Sequence, residues 1–112
     1  MPINEWSDEI LIAEMNDEPQ FSEDITSLMR QLEESEQAPD VIVNLQSVTY
    51  LNSSNIAQLL KLRKTVSAAK RRLRVCSVGD QVWGVLLITG LDKIFEFTDD
   101  VSTSLASLQL GI

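Results

Sequence analysis

Apolar positions along this chain change period several times, and each change marks a predicted element. Val41-Ile42-Val43 followed by Leu45 is a β-branched run, the pattern of a strand buried on both faces in a sheet flanked by helices. Ile56, Leu59, Leu60 and Val66 then recur at helical spacing, so a helix follows the strand after a short polar loop around Asn52, Ser53, Ser54 and Asn55. Upstream, Glu9 to Met15 reads as a strand with imperfect alternation, and Asn16-Asp17-Glu18-Pro19 as a turn. Ser22 is the predicted N-cap of a first helix, with Glu23 and Asp24 in its first turn and Ile25, Leu28, Met29 and Leu32 as its apolar stripe. Only one strand reads convincingly ahead of that helix, and Pro39 ends the connection behind it.

The C-terminal third keeps the alternation. Leu73 to Val78 is strand-like, Gly79-Asp80 is a turn, and Asp80 is the predicted N-cap of a helix over Gln81 to Thr89 carrying Val82, Val85 and Leu86 on one face. Gly90 suits the left-handed position that closes such a helix. Ile94 to Phe97 reads as a short edge strand, and Thr98, Asp99 or Asp100 as the cap of a last helix with Val101, Leu105 and Leu108. Strands alternating with helices imply an α/β layer structure. We expect a single domain over residues 1–112, with a mixed β-sheet of four or five strands and helices packed mainly on one face. The Val41–Leu45 strand should be central. Ile25, Leu28, Leu59, Leu60, Val66, Val75 and Leu86 should be buried, and Ala68-Ala69 should mark a close helix contact.

Composition narrows the class without changing the fold. A chain of 112 residues with 44% hydrophobic content can build one core, and no apolar run approaches the roughly 20 residues of a membrane span. The N-terminus MPINEWSDE is acidic and lacks the apolar segment of a secretory signal. A single cysteine agrees with a reducing, cytoplasmic setting. Charge is unevenly spread. The net charge is −8, yet seven of nine basic residues lie between Lys61 and Arg74, while residues 1–40 hold twelve acids and one base. That dipolar arrangement suits an oppositely charged protein partner, steered by Lys61, Arg63, Lys64 and Arg71, or self-association as a homodimer; equally, the charges simply solvate one helix face. Reversing two of those charges is expected to slow association with an acidic partner and leave stability nearly unchanged. The overall acidity and the lack of interleaved aromatics or a recognition-helix pattern argue against nucleic acid.

Chemistry is excluded more readily than assigned. The sequence has no histidine, which removes imidazole-based triads and metal sites, and one cysteine cannot make a thiolate zinc centre. No calcium-loop pattern or glycine-rich phosphate loop occurs, so neither a metal nor a cofactor is expected, and no residue set supports an enzyme. Cys76, inside a predicted strand, reads as a small core hydrophobe. Trp83 reads equally as an exposed contact or a packing residue. The loop before the basic-rich helix remains: its free N–H groups and dipole favour a negative charge. Ser53 or Ser54 there reads either as the helix N-cap or as a modifiable hydroxyl.

The order Tyr50-Leu51-Asn52-Ser53-Ser54-Asn55, then Leu73-Arg74-Val75-Cys76-Ser77-Val78, then Ile88-Thr89-Gly90-Leu91 and Ile94-Phe95, resembles the STAS domain family over Asp40 to Leu110. That family includes the bacterial anti-sigma factor antagonists and modules of sulfate transporters and stress-sensing complexes. The resemblance implies a partner-switching regulator that binds a serine kinase/anti-sigma factor through Asn52, Ser53, Ser54 and Asn55, with Ser53 (or Ser54) as phosphoacceptor. Asn52 stands where the family carries an acid, and Asn55 where it carries glycine. The alternative implied role is a non-catalytic structural subunit of a transporter ATPase or a sensory assembly.

Overall fold

A computed structural model of the chain describes residues 2–111. Five strands, β1 (Ile3–Ser7), β2 (Ile10–Asn16), β3 (Asp40–Ser47), β4 (Leu73–Cys76) and β5 (Phe97–Thr98), lie in one sheet in sequence order. β1 and β2 form an antiparallel hairpin, and every later pairing is parallel, so the sheet is mixed with β3 at its centre. The helices are α1 (Gln20–Glu34), α2 (Ser53–Ala68), α3 (Asp80–Thr89) and α4 (Val101–Leu110).

The alternation along β3 divides the core. Val41, Val43 and Leu45 face the larger apolar cluster, with Phe21, Ile25 and Leu28 of α1, Leu59, Leu62 and Val66 of α2, and Val82 and Leu86 of α3. Ile42 faces the other way, with Ile10, Ile12, Cys76 and Leu108 of α4. Three helices thus cover one face and one covers the other, which is why no residue of β3 is exposed before Gln46.

Several local expectations shift. The hairpin has a strand that the sequence hid: β1 reads Ile-Asn-Glu-Trp-Ser, and as an edge strand with exposed Asn4, Glu5 and Trp6 it carries one buried apolar residue, Ile3. The first helix begins at Gln20 with Pro19 at its N-cap, so Ser22 lies inside the first turn. On α2, Leu60 is exposed and Leu62 is fully buried, because the inward face runs Asn55, Leu59, Leu62, Val66 and Leu60 sits about 130° from its centre. Ala68 and Ala69 are exposed at the end of that helix and contribute no close contact. Gly79, not Asp80, occupies the N-cap of α3. After Gly90, which has φ 76° as the left-handed cap requires, a 3₁₀ turn over Leu91–Lys93 delays the last strand to Phe97–Thr98. Asp100 caps α4 by accepting from the Thr103 amide at 2.7 Å.

Trp83 is both things expected of it: its ring is partly exposed and meets Phe97 edge-on at 5.1 Å. Cys76 is fully buried, and burial pushes its thiol upward, away from the reactive thiolate. No helix is long and apolar enough to cross a membrane among the described residues.

Candidate functional site

The loop between β3 and α2 is anchored from beneath and clamped from the side. Val48 and Leu51 are buried, which turns Thr49 and Tyr50 outward. Asp17, in the β2–α1 turn, takes the loop's backbone: its Oδ1 accepts from the amides of Thr49 at 2.8 Å and Tyr50 at 3.3 Å, and its Oδ2 from the Thr49 hydroxyl at 2.7 Å. These donors, the Thr49 hydroxyl foremost, hold the Asp17 carboxyl below its ordinary value. Glu18 does the same one residue on. Its Oε1 accepts from the Ser22 amide at 2.8 Å, and its Oε2 from the Ser22 hydroxyl at 2.6 Å and from Asn55 Nδ2 at 3.2 Å. Its acidity is likewise strengthened, mainly by the Ser22 hydroxyl.

The two asparagines are the helix cap. Asn52 Oδ1 accepts from the Asn55 amide at 2.8 Å, and Asn55 Oδ1 accepts from the Asn52 amide at 3.1 Å, a reciprocal capping box. Asn55 is 1% exposed and also reaches Gln58 Oε1 at 3.3 Å, while Gln58 Nε2 donates to Ser22 Oγ at 3.1 Å. Asn55 therefore points into the body of the protein and adds no bulk to the surface. Of the four expected loop contacts, it is the one that faces away from a partner; Asn52 is half-buried.

Ser53 and Ser54 are left free. Both are exposed in the first turn of α2, neither caps the helix, and neither hydroxyl bonds to protein among the described residues. The helix N-cap reading of these serines is thereby replaced by Asn52. With the Asn55 amide committed to Asn52, the Ser53 and Ser54 amides are the unpaired donors of that terminus.

The basic cluster splits into two groups. Lys61 and Lys64 are exposed on the face of α2 that also carries Ser53, Ala57 and Leu60, about 12–16 Å along the axis from Ser53. Arg63 lies to one side, its Nε donating to the Ile94 carbonyl at 3.2 Å. Arg71 and Arg72 are structural, which corrects the expectation for Arg71. The buried Asp40 carboxylate lies 3.1 Å from Arg71 Nε and 3.3 Å from Arg72 Nη2, and accepts from the Arg72 amide at 2.8 Å. Arg71 Nη2 also donates to the Glu9 carbonyl at 3.2 Å. Sequence reasoning missed Asp17, Glu18, Ser22 and Gln58. The turn containing the two acids was visible, but the contacts that tie it to the loop and α2 join residues 32 or more positions apart and leave no local periodicity.

Comparison with known proteins agrees with this fold. The family model described as "STAS domain" matches residues 7–104. Among solved structures, a proposed anti-sigma factor antagonist from Thermotoga maritima superposes with a TM-score of 0.83 at 17% identity, covering 96% of this chain and 93% of that one. An anti-sigma-factor antagonist (STAS) domain protein from Planctomyces limnophilus gives 0.80 at 15% identity, with 96% of each chain covered. A sulfate transporter family protein from Wolinella succinogenes gives 0.74 at 19% identity over 91% of this chain and 84% of that one. A match over most of its length, on the strand–loop–helix order and sheet just described, makes this chain a member of the STAS domain family.

Proposed function

We propose that this domain is a partner-switching regulator of the anti-sigma factor antagonist type. It docks a serine kinase/anti-sigma factor over the β3–α2 loop and the exposed face of α2, and phosphorylation of Ser53 releases the partner. The observation that carries this reading is the division of labour at the loop: Asn52 and Asn55 cap the helix while Ser53 stays exposed and unbonded. A phosphoryl group on Ser53 would add about −1.5 to −2 charges beside free amides at a helix N-terminus, where the fold accommodates an anion. A partner seated over the loop would meet that charge directly. Leu60 with Lys61 and Lys64 offers such a partner an apolar strip with a basic border, complementary to an acidic amphipathic surface.

Substitution at Ser53 tests the switch. Ser53→Glu should weaken partner binding about tenfold, roughly 1.4 kcal/mol, while thermal unfolding stays nearly unchanged. Ser53→Ala should keep binding and lose phosphate incorporation with kinase and ATP, read by intact mass; its stability should also hold, since Ser53 is not the cap. Phosphate found only on Ser54 would move the acceptor by one residue. No phosphate, with binding intact in both variants, would defeat the switch.

The second reading is a non-catalytic subunit of a transporter ATPase or sensory assembly. What favours it is Asn52 in place of the family's acid, together with the fold's likeness to the sulfate transporter family protein from Wolinella succinogenes. Identification of the partner retained by the domain from native cells separates the two readings.

A further inference from the structure

Arg74 stands in the sheet without a counter-charge. It is 8% exposed, on β4, where a charged side chain ordinarily requires a partner of opposite sign. Its Nε donates to Ser107 Oγ at 3.0 Å and its Nη1 to the Leu73 carbonyl at 3.3 Å, both neutral acceptors. The end of α4 beside it supplies only the partial charge of a helix C-terminus. Among the described residues the ion pairs are those of Arg71 and Arg72 with Asp40, and neither involves Arg74.

Arg74 borders an open cleft of about 340 Å³. The cleft exists because β5 pairs with β4 only at Val75 and Cys76, which leaves the edge at Leu73 and Arg74 uncovered. Arg63 enters from the α2 side, oriented by its bond to the Ile94 carbonyl, with both Nη groups free of protein partners among the described residues. Ser67 adds a hydroxyl, and Phe95 an apolar wall. Arg71 and Arg72 also line the cleft, but their guanidinium groups are engaged with Asp40, Glu9 and Leu108. Glu96 is the one acid in the lining, and it pairs with neither arginine within 4.0 Å. In a chain of net charge −8, two arginines that form no ion pair among the described residues, Arg63 from the α2 side and Arg74 from the α4 side, border one hollow.

We propose that this cleft binds a phosphate-class oxyanion between the guanidinium groups of Arg63 and Arg74. Planar forked donors match a tetrahedral oxyanion bidentately, and the bound anion supplies the charge that Arg74 lacks. The cleft is larger than one phosphate, so the group is either free phosphate or the phosphate of a small organic molecule whose remainder lies on Ile94 and Phe95. Arg63 is about 15 Å along α2 from Ser53, so the site does not rest on the phosphoserine switch.

Backbone and arginine Nε resonances, followed by NMR in the purified chain, read the binding. Inorganic phosphate and pyrophosphate should give saturable shifts confined to Arg63, Ser67, Arg74 and Glu96. Arg63→Gln should weaken the binding about fivefold or more, and Lys61→Gln, on the same helix outside the cleft, should not. Glu96→Gln should tighten it by removing the competing carboxylate. ATP binding more tightly than pyrophosphate, with adenosine silent, identifies an organic phosphate; equal affinity identifies the inorganic anion. The proposal fails if shifts do not saturate by about 10 mM anion, weaker than any specific small-anion site. It fails equally if Lys61, Lys64 and Lys70 shift with the arginines and Arg63→Gln changes nothing. It also fails if Glu96→Gln destabilises the fold without anion binding, which would make Glu96 the counter-ion of Arg74.

Discussion

At the scale of single residues, the loop depends on carboxylates that are not themselves in it. Asp17 receives three hydrogen bonds from Thr49 and Tyr50, and its acidity is strengthened because those donors favour the charged form. A folded-state value below the ordinary 3.8 means that the clamp is complete above that pH and is lost as pH falls through the lower folded value. A carboxyl-carbon titration should therefore place Asp17 below 3.8, with the Thr49 and Tyr50 amide shifts following the same midpoint. Amide shifts that titrate with some other carboxyl would separate Asp17 from the loop. Asparagine at positions 52 and 55 has a parallel explanation. Both sides of the capping box use the amide oxygen as acceptor, which leaves the Asn55 amide nitrogen to donate to Glu18 and Gln58 as well.

At the scale of elements, α2 shows how a helix is oriented by its packing. Leu59 and Leu60 are adjacent leucines, and periodicity alone gives no reason to bury one over the other. The decision falls to register against β3 and β4, which seats Leu59, Leu62 and Val66 in the larger core cluster and turns Leu60 out beside Lys61 and Lys64. Leu62→Ala should cost about 2–5 kcal/mol, the range for a buried leucine, whereas Leu60→Ala should stay within about 0.5 kcal/mol. Denaturant midpoints for the two variants decide it. Equal losses would mean that the helix is rotated from the position described. If Leu60 serves the docking face, its alanine variant should show its effect in partner binding.

At the scale of the whole molecule, Asp40 joins the beginnings of three strands. It opens β3, its amide bonds the Glu9 carbonyl at 2.7 Å next to β2, and its buried carboxylate holds Arg71 and Arg72 just before β4. Arg72 extends the tie to α4 through the Leu108 carbonyl at 2.6 Å. Asp40→Ala should lower stability by roughly 2–3 kcal/mol, because hydrogen bonds to a charged group are lost and two arginines are left unpaired. The unfolding midpoint should move with little change in slope. Reversal of Arg71 should also destabilise, unlike reversal of Lys61 or Lys64. A stability change below 0.5 kcal/mol, about the level of an exposed substitution, would reduce Asp40 to a surface contact.

The sequence by itself determined the elements whose pattern is dense and local: the β-branched run of β3 and its burial on both faces, the α/β alternation and Gly90 as a helix terminator, while the cap of α4 was narrowed to Thr98, Asp99 or Asp100. These follow from side-chain period and backbone preference, which neighbours in the chain express without help. It also located the loop at Ser53, since the change from strand to helix period is itself local. Tertiary structure alone decided the rest. β1 is a strand because β2 offers it hydrogen-bond partners, not because its own residues alternate. The serines are free because asparagines three residues apart satisfy the cap and Glu18, 37 positions away, holds one of them. The basic stretch divides into exposed Lys61 and Lys64, fold-holding Arg71 and Arg72, and Arg63 and Arg74, which form no ion pair among the described residues, by which cation finds Asp40 in space. Charge pairing depends on distance through the fold, and no window of sequence contains that distance.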